Sequence, residues 1–389
     1  MSRTVSFSTV SSRITSSSSR RMSDDRRRCL SDASERVLIV ESVAELECFD
    51  RLRDELERLR AHDEFAHVFL SHAWLRAGFD RRHRGWEVLV VREADALLAA
   101  LPLLCGDDGR AGAATARVLR LGGYPYADYN GMLCRRERAQ AVCDALAAHL
   151  ATRDDWDALD FNDVRDPWVD RLVEQLTPAE GSLQRRYAMV CPRMSLPASW
   201  SEYLRRRLSR ESRESLTRAL RRLMRQPGLD VSHGDGGAFE RDLRDAVNIW
   251  AARWANVTTE DREQIARRLR AAHADGLVRS CVIRIGGEPA AALVGLLDRP
   301  RQAFRYYLSG FDERFAHLSP GRCVQALAIR AAIELGLREY DFLRGGEPFK
   351  YAFGGRPTYL THLLLRRRSA KRSAFRSVFR AARRLLPRH

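Results

Sequence analysis

A polar segment near the end of the chain combines acidic and basic side chains around a Gly-Gly turn. Within ten residues, directly after a strand-like run, stand Asp341, Arg344, Glu347 and Lys350. Acyl transfer to an amine needs a base for the amine proton and positive charge for the developing oxyanion. Asp341 or Glu347 could be the base. Arg344 or Lys350 could supply the charge, and a purely structural ion network is the alternative.

A second segment, upstream of the first, is typical of a helix start that could bind an anion. Ser319 stands at an N-cap position, Pro320 in the first turn and Gly321 just inside the helix. Free backbone amides there could hold a pyrophosphate, and the preceding strand could pair with an extended cofactor arm. An ordinary helix start is the alternative. The candidate cofactor-binding residues are Tyr307, Leu308, Ser309, Gly310, Ser319, Pro320, Gly321 and Arg322.

Both segments belong to an order of elements that occurs twice along the chain. The first run is strand 86–92, strand 96–104, strand 117–121, helix 135–152 and strand 156–161. The second run is strand 278–285, strand 290–297, strand 302–309, helix 321–335 and strand 339–343. Helices over 43–59 and 200–226 would open the two halves. This repetition indicates a duplication with divergence.

The pattern predicts an α/β (α+β) fold with two tandem domains, each a mixed, mostly antiparallel sheet flanked by helices. The predicted divisions are a disordered Ser- and Arg-rich N-terminus (1–35), an N-terminal domain (36–185), a C-terminal domain (186–368) and a basic tail (369–389). The second domain is expected to carry the chemistry, because both polar segments lie in it. The N-terminal domain would be a degenerate copy without its own chemistry. It would either have a structural role or form one wall of the acceptor cleft.

The positive charge of the chain is concentrated at its ends. Of the net charge of +16, residues 366–389 carry +10 and residues 1–35 carry +3, so the body between them carries only +3. A nucleic-acid-binding fold normally has a broad basic face. A nearly neutral body therefore predicts no nucleic-acid partner.

Cysteine, histidine and apolar patterns narrow the class of protein further. The eight cysteines lie singly, which is typical of reduced thiols in the cytoplasm. His62, His67 and His72 do not share a helical face and have no completing ligands, so no metal site is predicted. The sequence contains no apolar run long enough to span a membrane and no signal peptide, so we expect a cytoplasmic protein.

The basic tail has a regular apolar stripe. Phe375, Phe379 and Leu386 belong to it, with arginines on the remaining surface. Such a helix is suited to an anionic membrane surface, which would bring the protein to the inner face of the cell membrane. Docking of the tail on its own domain is the alternative.

With these residues in view, the sequence over residues 36–368 resembles GNAT-superfamily acetyltransferases of the cellulose-biosynthesis or BioF2-like type. The segments that carry the resemblance are Cys191-Pro192, Trp250-Ala-Ala-Arg-Trp254, Tyr306-Tyr-Leu-Ser-Gly-Phe-Asp312, Ser319-Pro-Gly321, Asp341-Phe-Leu-Arg-Gly345 and Glu347-Pro-Phe-Lys350. Two positions depart from the family pattern: Gly346, where an acid is frequent, and Phe349, where Tyr is usual. These departures leave the acceptor preference open.

The resemblance implies a tandem GNAT fold and an acyl-CoA, such as acetyl-CoA, as co-substrate without a metal. It implies N- or O-acyl transfer, with acyl groups other than aminoacyl, to a sugar, a polysaccharide precursor or a similar small molecule. Fem-type transferases share the doubled fold but use aminoacyl-tRNA, so such a transferase is the first alternative. A non-catalytic, membrane-associated binding protein of the same fold is the second.

Overall fold

The computed structural model describes residues 37–79, 85–107, 116–177, 181–234 and 236–367. The predicted disordered N-terminus and the predicted amphipathic tail lie outside these residues.

The described part of the chain contains both strands and helices. Its strands are β1 (Leu38–Val43), β2 (Trp86–Glu93), β3 (Ala96–Asp107), β4 (Arg117–Leu121), β5 (Leu133–Cys134), β6 (Ala158–Val164), β7 (Ser182–Val190), β8 (Arg193–Ser195), β9 (Leu229–Ser232), β10 (Val278–Ile285), β11 (Glu288–Asp298), β12 (Ala303–Phe311), β13 (Glu339–Asp341) and β14 (Tyr359–Arg366). Its helices are α1 (Leu46–Arg51), α2 (Arg53–His62), α3 (His72–Gly78), α4 (Ala139–Thr152), α5 (Pro167–Gln175), α6 (Trp200–Arg206), α7 (Arg210–Leu223), α8 (Phe239–Ala252), α9 (Thr259–Ala274), α10 (Pro320–Glu334) and α11 (Pro348–Ala352).

The strands form two sheets that repeat one arrangement. The first has the order β1-β2-β3-β4-β6-β14-β7, with β5 beside β3, and the second has the order β8-β13-β12-β11-β10-β9. In each sheet three antiparallel strands lead through a crossover helix, α4 or α10, to a parallel fourth strand. The predicted class, two tandem mixed sheets flanked by helices, is confirmed.

One strand of the first sheet comes from the C-terminal end of the described chain. β14, the last of the described strands, pairs with β6 and β7 in the first sheet, although in sequence it follows all the strands of the second sheet. The predicted boundary at residues 185/186 falls inside β7, and the predicted C-terminal domain (186–368) ends with a strand of the first sheet. Leu363 and Leu365 are fully buried there, which explains why β14 stays with the first core.

The predicted helix over 200–226 is wrong as a single element, because it is divided into α6 and α7. Ser209 interrupts it with an extended backbone (φ −62°, ψ 160°), and its hydroxyl accepts a hydrogen bond from the Ser212 N–H. Serine favours this N-cap position over the interior of a helix. The division turns α7 so that Leu216, Ala219 and Leu223 pack against the second core.

None of the described helices is long and apolar enough to cross a membrane. No group of three or more His, Cys, Asp or Glu side chains in the described part is placed to hold a metal ion.

Candidate active site

A wedge opens between two parallel strands of the second sheet. β12 and β13 pair at only three positions, of which Arg305 opposite Asp341 is the last. β12 then continues to Phe311 along β11, and a bulge opposite Val294 and Gly295 bends it. Beyond Arg305, no described strand pairs with β12 on the β13 side. Its backbone N–H and C=O groups there can therefore pair with an extended ligand.

The first turn of α10 lies beside the end of β12. A Cβ added to Gly321 would lie 2.8 Å from Cδ1 of Phe311, so only glycine allows this approach. Ser319 is the N-cap residue as predicted, but it has φ 55°, and its hydroxyl makes no capping hydrogen bond. Pro320 lacks an N–H. The Arg322 and Cys323 amides both donate to the Ser319 carbonyl, so the Ser319 hydroxyl and the Gly321 N–H are the groups of this turn that could bind a pyrophosphate.

The four predicted strand residues differ in what they could offer a donor. Leu308 is buried in the core, and Gly310 lies so close to Ile249 that an added Cβ would be 2.6 Å from its Cγ2. These two can contribute only their backbone. Ser309 is half-buried. Tyr307 donates its hydroxyl to the carbonyl of Tyr126 at 2.7 Å, and burial raises its pKa.

Arg322 follows the predicted anion site but is directed toward α7. Its guanidinium donates to the Ser215 hydroxyl at 2.8 Å and to the Ser212 carbonyl at 2.9 Å. These bonds join α7 to the first turn of α10. The described structure thus gives Arg322 a positioning contact and does not aim it into the wedge.

Asp341 is fully buried at the closed end of the wedge. One carboxylate oxygen accepts from Arg305 at 2.6 Å and from the Tyr129 hydroxyl at 2.7 Å, and the other accepts from the Leu343 N–H at 2.9 Å. Arg305 also binds Asp298 at 2.7 Å. Burial opposes the charge of Arg305, but Asp298 and Asp341 more than offset it and raise its pKa. An incoming amine would find both Asp341 oxygens occupied.

Arg344 joins the two halves of the molecule. Its Nε donates to Asp128 at 2.8 Å and its Nη1 to Asp163 at 3.0 Å, and both carboxylates come from the first half. Burial raises the pKa of Asp163. The charge of Arg344 opposes this increase, and the charge of Asp128 adds to it. The charge of Arg344 is thus shared between two carboxylates.

Glu347, the N-cap residue of α11, forms an ion pair with Lys350 inside that helix. Lys350 is 1% exposed; its Nζ lies 3.0 Å from Glu347 and donates to the Arg344 carbonyl at 2.5 Å. It also lies 5.8 Å from the centre of the Tyr306 ring. The Glu347 side chain is 47% exposed. Of the four predicted catalytic side chains, Glu347 is therefore the one most open to an acceptor.

A loop of the first half reaches into the site of the second half. It follows β4 and supplies Tyr126, Asp128 and Tyr129, which contact Tyr307, Arg344 and Asp341. Sequence reasoning missed these residues, and it also missed Asp163, Asp298 and Arg305. The signal for the last two was a charged side chain within an apolar strand. The loop offered only its Gly, Tyr and Asp composition, which does not identify a partner.

Comparisons with known proteins agree with this arrangement. Residues 210–351 match the model of a family described as an acetyltransferase (GNAT) domain. No curated protein sequence matches the chain. The fold is similar to that of FemX, at 12% identity, over 83% of this chain and 96% of that one, with a TM-score of 0.57. L-PGS from Bacillus licheniformis is also similar, at 12% identity, over 85% and 95% of the two chains, with a TM-score of 0.50.

A third similar structure is a conserved protein of unknown function from Bacteroides thetaiotaomicron VPI-5482. It has 10% identity, covers 85% of this chain and 99% of its own, and gives a TM-score of 0.53. Identities this low show a shared fold and no more. The domain match supports a GNAT-fold acyltransferase and is confined to residues 210–351 of the second half. The cellulose-biosynthesis or BioF2-like type stays a prediction.

Proposed function

We propose that the protein transfers an acyl group from an acyl-CoA, such as acetyl-CoA, to the nitrogen or oxygen of a sugar, a polysaccharide precursor or a similar metabolite. The observation that supports this proposal is the wedge, because β12 and β13 separate after three paired positions, directly beside the first turn of α10. An extended pantetheine arm fits such an opening, and its pyrophosphate fits the helix start.

The chain's own residues would divide the work as follows. Transfer would join the acceptor atom to the acyl carbon and break the C–S bond of the thioester, and CoA would leave as a thiolate that takes a proton from water. Unpaired amides of β12 would stabilise negative charge on the acyl oxygen. The half-exposed Glu347 would accept the proton of the acceptor. Lys350 would hold Glu347 and the Arg344 carbonyl in place, which makes it a positioning residue in this proposal.

Exposed aromatic side chains favour an acceptor that contains a ring. Tyr187, Tyr351 and Tyr359 are exposed by 86%, 39% and 59%. Tyr359 lies near the Gly345-Gly346 turn, because it pairs with Val190, whose carbonyl accepts a hydrogen bond from the Gly345 N–H. The Tyr187 ring lies 5.9 Å from the Tyr359 ring, centre to centre. The Tyr351 hydroxyl would lie 3.7 Å from a Cβ at Gly346. Sugar rings stack well on such amphipathic faces.

Calorimetric titration of the full chain with acetyl-CoA and, separately, with charged tRNA tests the donor. We expect acetyl-CoA to bind the wild type and to fail with Gly321→Glu, which places charge and bulk at the helix start. Gly237→Glu is the matched control, because its added side chain meets open space. Binding of tRNA alone would support a Fem-type transferase, and binding of neither would support a non-catalytic role.

Release of free CoA thiol with a panel of amine and sugar acceptors tests the acceptor side. Glu347→Gln removes the proposed base and should lower turnover at least about tenfold while acetyl-CoA still binds. Lys350→Met keeps the buried stem and should lower turnover less. Wild-type rates in a folded Glu347→Gln protein would remove Glu347 from the mechanism.

A further inference from the structure

A cavity of about 380 Å³ lies at the outer edge of the second sheet, outside the wedge. It borders the edge strand β8 and the beginning of β13, whereas the wedge opens beyond the end of β13. The lining residues are Arg193, Met194, Ser195, Arg207, Glu339, Gly354, Arg356 and Thr358.

The lining of this cavity has an excess of positive charge. Three arginines face one carboxylate, Glu339, which pairs with Arg193 at 3.3 Å. Arg207 is half-buried and Arg356 is exposed, and within the described ranges neither guanidinium has a carboxylate partner. Two guanidinium groups are therefore available for one doubly charged anion.

The walls of the cavity are held by backbone contacts, so the site exists before a ligand arrives. The Arg193 and Arg356 backbones exchange hydrogen bonds of 3.0 and 2.8 Å. Gly354 has φ +96°, and a Cβ added to it would lie 3.3 Å from the Cβ of Arg207. The Thr358 hydroxyl donates to the Cys191 carbonyl at 2.6 Å. A ligand would thus lose little free energy to ordering of the backbone.

We propose that this cavity binds a phosphate group through Arg207 and Arg356. The planar guanidinium matches two phosphate oxygens at once, and two such groups balance a dianion. The volume exceeds that of a bare phosphate, which leaves room for the organic part of a phosphomonoester. The same loop continues directly from α11, where the Gly355 N–H donates to the Lys350 carbonyl at 3.0 Å. A bound phosphate therefore fixes the segment that carries Lys350.

Titration of the full chain with inorganic phosphate and with glucose 6-phosphate, at constant ionic strength, tests this site. We expect saturable binding with one site per chain. Arg207→Ala and Arg356→Ala should each weaken it at least about tenfold, because each removes charge-assisted hydrogen bonds. Both variants keep the Cβ and the backbone contacts that hold the walls. Arg330→Ala, which removes an exposed arginine paired with Glu334, is the matched control.

Two measurements separate this site from the donor site. Gly321→Glu should retain phosphate binding, because α10 begins outside the cavity. Hydrogen exchange of the amides of residues 354–358 should slow when phosphate is added. Tighter binding of glucose 6-phosphate than of phosphate would identify a phosphomonoester as the ligand, and equal binding would identify free phosphate. No saturable binding, or equal binding by the arginine variants and the wild type, would overturn the proposal.

Discussion

At the scale of single residues, buried charges in this molecule join elements rather than face a ligand. Arg305 lies between Asp298 and Asp341 in the second half, and Tyr129 of the first half completes the group. Removing one member of such a group leaves the others charged and buried without compensation. We therefore expect the loss of Asp341 to lower the stability of the fold, whatever its effect on turnover.

Replacement of Asp341 by Ala should lower the free energy of unfolding by about 3–5 kcal/mol, because Arg305 loses a buried partner. Glu334→Ala breaks an exposed i,i+4 pair with Arg330 and should cost less than about 0.5 kcal/mol. Urea unfolding of both variants measures the difference. Similar small losses in both would show that the buried group contributes little.

His67 makes the stability of the protein sensitive to acid. It is 5% exposed, and burial, followed by the nearby Arg305, holds its pKa well below the usual value. The unfolded chain therefore binds a proton below about pH 6.5 that the folded chain does not bind. The contribution of His67 to the free energy of unfolding is therefore full above about pH 6.5 and is lost as the pH falls below that value.

Between pH 7.5 and pH 5.5, His67 should account for a loss of about 1.4 kcal/mol of unfolding free energy, and His67→Gln should remove that part. Urea unfolding at both pH values provides the measurement. Val68→Ala deletes a buried neighbour without a titratable group and should destabilise equally at both. A His67→Gln protein with the full wild-type pH dependence would contradict this account.

At the scale of elements, α9 begins with a cap that also connects the halves. The Thr258 hydroxyl accepts from the Asp261 N–H, and the Asp261 carboxylate accepts from the Thr258 N–H. The second oxygen of Asp261 accepts from the Tyr126 hydroxyl at 2.8 Å. The bonds from Thr258, and then that from Tyr126, lower the pKa of Asp261. The start of α9 therefore supports the loop that supplies Asp128 and Tyr129.

Loss of this cap should be measurable as a modest loss of stability. Thr258→Ala should lower the unfolding free energy by about 1 kcal/mol, the typical effect of removing an N-cap side chain. Thr217→Ala is the matched control, because its hydroxyl donates to the Arg213 carbonyl inside α7 and caps nothing. Chemical denaturation of the two proteins gives the comparison. Equal losses of unfolding free energy would show that the capping hydroxyl contributes no more than a hydroxyl in the helix interior.

At the scale of the whole molecule, the first sheet depends on a strand of the second half, and the site of the second half depends on a loop of the first. β14, the last of the described strands, lies between β6 and β7 of the first sheet. The first-half loop in turn occupies the site of the second half through Tyr126, Asp128 and Tyr129. Neither half therefore contains all the residues of its own core or site.

A chain that ends at Pro357 lacks β14 and should not fold, because β6 and β7 lose their shared neighbour and Leu363 and Leu365 leave the first core. A chain that ends at Arg367 keeps β14 and should fold. Circular dichroism and cooperative urea unfolding distinguish the two. A cooperative transition in the shorter chain would show that the first sheet is complete without β14.

The sequence by itself determined the repeated order of strands and helices, because apolar periodicity and turn residues are local signals. It also located the Ser319-Pro320-Gly321 helix start and the Glu347–Lys350 pair, whose members are neighbours along the chain. It could not place β14 in the first sheet, since strands of similar pattern fit either sheet equally well.

Only the tertiary structure decided which distant side chains meet. Asp128 and Asp163 bind Arg344 from the other half of the chain, and Tyr129 binds Asp341. No local spacing encodes such contacts, because they depend on how two complete sheets pack together. The same packing buried Asp341 and left Glu347 exposed, although both carboxylates stand in one short segment of sequence.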